Sequence, residues 1–208
     1  MSLQAEKILI FDGACGSNLQ TMDIPTAAWD GREGCNEYLN VSAGEIIQQL
    51  HSDFLAAGCN VIETNTFGAS RIVLDEYDLA DRVDEINRAA VNNARAAVAA
   101  SDRQAWVAGS AGPTTKLPSL GHISVAALAE AHREQFRALL DAGVDLLILE
   151  TCQDLLQAKT AVIAARDVMD DLGLEVPLMV SLTIETTGTM LVGADIAAAA
   201  TSLAPLGL

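Results

Sequence analysis

Three carboxylates stand where short aliphatic runs end. Asp12 follows Ile8-Leu9-Ile10-Phe11, Glu63 follows Val61-Ile62, and Glu150 follows Leu146-Leu147-Ile148-Leu149. A carboxylate directly after a buried strand must reach solvent at the strand's end or find a partner, because burying it alone is costly. Two such acids at one end of a sheet make a site for an ammonium group. General acid and base chemistry is the competing use, and structural ion pairing is a third. Asp12 also opens the turn Asp12-Gly13-Ala14-Cys15-Gly16-Ser17-Asn18, whose backbone amides can hold a small carboxylate. Asp-Gly is equally common in turns for local reasons alone. The phosphate-binding patterns GxxxxGK[ST] and GxGxxG are missing and no Lys stands near the turn, so a small carboxylate suits it better than a phosphate.

Elements that could position these acids alternate along the chain. Uninterrupted apolar runs of four or five residues read as strands buried on both faces, the habit of a parallel sheet covered by helices. Such runs occur at 8–11, 60–67, 106–110, 146–149 and 177–183. Between them, helical spacing predicts helices from Ser42 to Gly58, over 80–100, from Ser124 onward, from Asp154 to Gly173, and from Asp195 through Leu203. Ser42 and Glu45 have the spacing of a capping box. Residues 21–41 show no sustained period and read as a long loop at the carboxylate end of the sheet. An internal echo supports the parse: Ala57-Gly58-Cys59-Asn60 before Glu63-Thr64 parallels Ala142-Gly143-Val144-Asp145 before Glu150-Thr151. Alternating βα units argue for an α/β fold, either a TIM barrel or a doubly wound sheet. Acids on three separate strands favour the (β/α)8 barrel, of which the chain carries about five βα units, a partial barrel.

Composition bounds the function class. The 208 residues form one domain, 1–208, with an interior of Ala, Val, Ile and Leu, since half the residues are hydrophobic and only 4% aromatic. A formal charge of −16 repels nucleic acid and anionic lipid. No leader or membrane-length apolar run is recognisable, so a soluble, cytoplasmic protein is expected. Cys15, Cys35, Cys59 and Cys152 lack paired spacing, and reduced thiols are the expectation. Cys15, Cys35 and Cys152 could share the mouth of the sheet as metal ligands, but no CxxC or His pair supports that reading against buried, neutral thiols. His51, His122 and His132 share no pattern and read as packed or solvated.

Taken together, four ordered blocks resemble the homocysteine S-methyltransferase family. They are Ile8 to Gln20, Gly58 to Gly68, Val107 to Thr114 and Asp145 to Thr151. Lys116-Leu117-Pro118-Ser119-Leu120-Gly121 tips the likeness toward the cobalamin-dependent members, which make methionine. The resemblance implies a zinc-dependent barrel enzyme, a methyltransferase that binds homocysteine and activates its thiol as a zinc thiolate. The methyl group would come from methylcobalamin on a partner domain, ultimately from methyltetrahydrofolate, so cobalamin- and folate-binding domains are the implied partners. It further implies that Glu150 holds the substrate's ammonium, that the backbone around Asp12, Gly13 and Ser17 holds its carboxylate, and that Glu63 and Asn65 line the pocket. None of the four cysteines aligns with the family's zinc ligands, which follow later strands. The expectation is therefore a C-terminally incomplete homocysteine-binding module, inactive alone. The alternatives are a non-catalytic assembly module that self-associates through exposed barrel edges, and another carboxylate-based barrel enzyme.

Overall fold

The structure is a computed structural model and describes residues 8–208. Its centre is a parallel sheet of four strands in sequential order: β1 (Val61–Glu63), β2 (Trp106–Ala111), β3 (Leu146–Cys152) and β4 (Leu178–Leu182). Parallel neighbours need a crossover, and helices supply it. The long helices are α1 (Gly44–Ala57), α2 (Val83–Ala100), α3 (Val125–Asp141), α4 (Leu155–Leu172) and α5 (Ile196–Leu203). Every residue of β2 is buried, as expected of a central strand covered on both sides.

The first apolar run is not a full strand. Phe11 makes a single parallel bridge to Val61, and residues 10–12 are held by Asn60 N–H to Ile10 O at 2.7 Å and Asp12 N–H to Val61 O at 3.0 Å. Ile8 and Ile10 remain 78% and 55% exposed, so this run lies on the sheet's edge rather than inside it. The predicted cap at Ser42 also differs. Ser42 closes a short helical turn, Leu39–Ser42, its hydroxyl bonded to Tyr38 O at 3.2 Å, and α1 starts after Ala43. Further along, the caps are as the sequence predicts. Ser124, Asp154 and Asp195 accept backbone N–H groups of Ala127, Leu156 and Ala198, each satisfying a donor orphaned at a helix start.

The internal echo has a structural cause. Gly58 and Gly143 end α1 and the α3 turn with φ of 116° and 89°, which a side chain would strain. The polar residues that follow tie neighbouring strands at their starts. Asn60 O accepts from Trp106 N–H at 2.8 Å, and Asp145 Oδ2 from Val107 N–H at 2.7 Å. The core between sheet and helices is mostly aliphatic, built around Ile62, Val107, Leu147, Leu149, Leu139 and Val162, with Phe136 fully buried among them. Gly109 permits this close layer, since a Cβ there would lie 2.9 Å from Leu147 Cδ2.

Candidate functional site

All three strand-end acids meet in one cavity of about 460 Å3 at the carboxyl end of the sheet. In parallel α/β folds this is the ligand-binding end. Asp12, Glu63 and Glu150 line it, together with the Gly13–Gly16 turn, Asn36 and Glu37 from the 21–41 loop, and Asn65, Phe67 and Ser110. Leu50, His51 and Phe54 of α1 form its helical wall. Of the candidates read from the sequence, Asp12, Gly13, Glu63, Asn65 and Glu150 are brought together. Ser17 is exposed and outside the lining.

Asp12 and Glu150 are held by their neighbours. Asp12 Oδ2 accepts the backbone N–H of Glu63 at 3.0 Å, while Asp12 Oδ1 is buried without a partner. Glu150 accepts the Ser110 hydroxyl. Ser110 in turn is fixed by threonines: its N–H donates to Thr64 Oγ1 at 3.1 Å and its carbonyl accepts Thr66 Oγ1 at 2.6 Å. With the Thr66 hydrogen committed to Ser110, the 2.6 Å contact between the two threonine hydroxyls has Thr64 as donor.

Glu150 is aimed by an irregularity in β3. Leu149 pairs with Val180 and Cys152 with Leu182, so Glu150 and Thr151 together oppose Ser181 alone. That is a bulge, a device that re-aims a side chain. Thr151 carries it with φ of 56°, a left-handed conformation costly for a β-branched residue.

Electrostatically the cavity is acidic and contains no Lys or Arg among the described residues. Burial pushes Asp12 up to about 7, with the Glu150 charge adding to the rise and the Glu63 N–H opposing it. Burial first, then Glu150 and Asp12, also raises Glu63. Burial raises Glu37, whose Oε1 accepts Gly68 N–H at 2.7 Å. Clustered carboxyls that resist ionising are poised to receive an ammonium group or to share protons.

Asn65 spends its amide on the protein: its Nδ2 donates to Asn36 O at 2.7 Å and its Oδ1 accepts Cys15 Sγ at 3.4 Å. It thus joins the β1 end to both the long loop and the glycine turn. Asp154, fully buried, does the same for the segment around Ser119, accepting that residue's hydroxyl at 2.7 Å and its N–H at 3.0 Å. Glu37 was not singled out in the sequence, His51 was read only as packed or solvated, and Ser110 was noted only within the Val107 to Thr114 block; the folded chain brings all three to the mouth.

The cysteines do not assemble. Cys15 lines the cavity, Cys35 packs in a separate cluster with Leu74 and Ile86, and Cys59 and Cys152 lie in the main core. Burial lifts all four thiols, to about 11 for Cys35 and Cys59 and about 12 for Cys15 and Cys152. Among the described residues no group of three His, Cys, Asp or Glu side chains is placed to hold a metal ion. Nor is any helix among them long and apolar enough to cross a membrane.

Comparison with known proteins gives the family and the fold. The chain is 40% identical over 211 residues to the methionine synthase of Mycobacterium tuberculosis, covering all of this chain and 18% of that protein. It is 39% identical to the methionine synthase of Mycobacterium leprae, covering 98% of this chain and 17% of the relative. The chain therefore spans less than a fifth of the length of these relatives. In structure it resembles the homocysteine methyltransferase MmuM of Escherichia coli in its metallated form, with a TM-score of 0.77, 23% identity, and coverage of 99% of this chain and 73% of that one. The oxidized form of the same enzyme gives 0.75. The family model for homocysteine S-methyltransferases matches residues 9–208, and the chain belongs to that family.

Proposed function

We propose that this chain is the homocysteine-recognition part of a methionine synthase, a partial (β/α)8 barrel of about five units that holds the amino-acid end of the substrate. The observation that carries the reading is the convergence of Asp12, Glu63 and Glu150 on a cavity without a cation. An α-ammonium entering there supplies the missing positive charge, so the raised carboxyls ionise against it and bind it by charge-assisted hydrogen bonds. Glu150, oriented by Ser110, is the primary acceptor. Glu63 and Asp12 flank it, and the Gly13–Gly16 turn forms the wall for the α-carboxylate.

Zinc, where bound, turns a thiol into a thiolate at neutral pH. The residues present do not fit it: the four thiols are dispersed and their pKa values are raised rather than lowered. The proposed recognition of homocysteine uses no metal on these side chains. In this reading thiol activation and the methyl donor, methylcobalamin recharged by methyltetrahydrofolate, belong to other parts of a longer cytoplasmic enzyme. The 208-residue chain then binds homocysteine without turning it over. Calorimetric titration with L-homocysteine tests the reading. A single-site heat that is lost in Glu150→Gln supports it, and no heat with the wild-type chain removes it.

A second reading, assembly through the sheet edge, has its own support. Beyond β4 the structure leaves an apolar hollow of about 430 Å3 lined by Leu178, Val180, Leu182, Ile196 and Leu203. Met179 and Ile196 of its lining are 41% and 56% exposed. Unpaired strand edges with apolar surroundings promote association. Light scattering that finds only monomer at high concentration would discard this reading.

A further inference from the structure

Among the described residues, His51 is the one basic side chain on the wall of the acidic cavity. It stands on α1, one turn before Phe54, whose ring packs against the glycine turn, 3.3 Å from where a Cβ on Gly13 would sit. Its residue exposure is 2%, and neither Nδ1 nor Nε2 has a hydrogen-bond partner. Buried polar groups are nearly always paired, so an imidazole with two orphaned nitrogens at a cavity wall calls for a missing partner. His132 is also buried with both nitrogens unpaired, but it stacks on Phe136 and takes no part in the cavity. The contrast separates a packed histidine from one placed at a site.

The chemistry of the surroundings decides what that partner is. The titratable groups around the cavity are Asp12, Cys15, Glu37, Glu63 and Glu150, from the glycine turn, the long loop, β1 and β3. They offer acceptors for an ammonium group several times over and would repel a carboxylate. An amino acid brings both groups. Its carboxylate needs donors on the side away from the acids, and His51 lies on the helical wall with Phe54, the residue that packs against Gly13 of the turn.

We propose that His51 is a specificity-determining residue whose ring N–H donates to the α-carboxylate of the bound amino acid, so that the cavity accepts a zwitterion rather than an amine. The inference rests on the homocysteine reading given above. Both ring nitrogens are buried, and contact requires the imidazole to turn about its Cβ–Cγ bond. That turn breaks no hydrogen bond, because neither nitrogen holds one. Burial keeps the ring neutral, displacing its pKa to about 4, so the donor is an uncharged N–H.

The test is nitrogen NMR of the three histidines in the 208-residue chain, with calorimetry on the same samples. His51→Gln assigns the His51 signals, and His132 serves as the buried control. Saturating L-homocysteine should move the His51 ring nitrogens and leave those of His132 in place. Heat of binding with unmoved His51 signals overturns the inference while leaving the homocysteine reading intact. Absence of heat overturns both. The carboxylate assignment is read from competition between homocysteine and its uncharged carboxamide. The wild-type chain should prefer the acid by about tenfold, the scale of one hydrogen bond to a charged group. His51→Phe, which keeps a planar ring but has no N–H to donate, should erase most of that preference. A preference unchanged by the substitution overturns the assignment.

Discussion

The carboxylate of Asp12 accepts the backbone N–H of Glu63 at 3.0 Å, which fastens the edge segment 10–12 to the end of β1 and sets two acids side by side. The bond is structural as well as electrostatic. Asp12→Ala leaves the Glu63 N–H without its acceptor and should cost about 1–3 kcal/mol in urea unfolding, the usual penalty for an orphaned partly buried donor. Asp12→Asn keeps an acceptor oxygen in place and should cost less. Equal losses in the two variants would deny the hydrogen bond its role.

Stability should fall as the solution is made more alkaline. The Asp12 carboxyl is raised from an ordinary 3.8 to about 7, and Glu63 is raised in the same direction. Between those limits the folded chain retains protons that the unfolded chain has released. Stabilisation is thus complete below the ordinary carboxylate range and lost as pH climbs through the raised values. Thermal melts from pH 5 to 9 should show the decline, and Glu63→Gln should flatten it. Homocysteine should oppose the trend, since its ammonium favours the ionised acids, and its affinity should rise from pH 6 to 8.

Ser110→Ala removes the hydroxyl that Glu150 accepts but leaves the Ser110 backbone links to Thr64 and Thr66. The strand should therefore persist while the carboxylate loses its aim. Homocysteine affinity should drop roughly tenfold, one hydrogen bond to a charged group. Unfolding should be little changed. A loss of stability larger than the loss of binding would mean that the hydroxyl serves the core instead.

Gly112→Ala should act on the cavity through Phe67. A Cβ at this position would sit 2.7 Å from three atoms of the Phe67 ring, and Gly112 N–H donates to Phe67 O at 2.9 Å, so the backbone there cannot retreat easily. The half-exposed ring is the part free to move. Phe67 should swing from the cavity wall, weakening ligand binding with a stability cost of about 1 kcal/mol, at the low end for overpacking. Binding equal to wild type would place Phe67 outside the ligand's reach.

Much of the plan could be read from residue order. The runs at Val61, Trp106 and Leu146 are buried strands because continuous apolar sequence has no other use in a covered sheet, and Glu63 and Glu150, which close two of them, meet in the cavity; the run at Leu178 is a strand whose alternate residues, Met179 and Ser181, are exposed. Ser124, Asp154 and Asp195 announce helix starts because a cap is a local interaction. The Ile8–Phe11 run was legible as apolar but not as an edge, since exposure of Ile8 and Ile10 depends on what lies beyond them. Ser42 misled because the chain turns once, at Leu39–Ser42, before the long helix begins. Glu37 gave no signal, and His51 read only as packed or solvated, for another reason. Periodicity reports that a face is buried and says nothing of what a polar residue on it will meet.

Thr151 bears on any effort to make this protein sturdier. Its left-handed backbone is a cost that glycine would relieve, so a screen for heat resistance alone would be drawn to Thr151→Gly. The same residue stiffens the bulge that points Glu150 into the cavity. Robustness and recognition are thus set against each other at one peptide unit, and selection for the first would erode the second without touching a residue of the cavity.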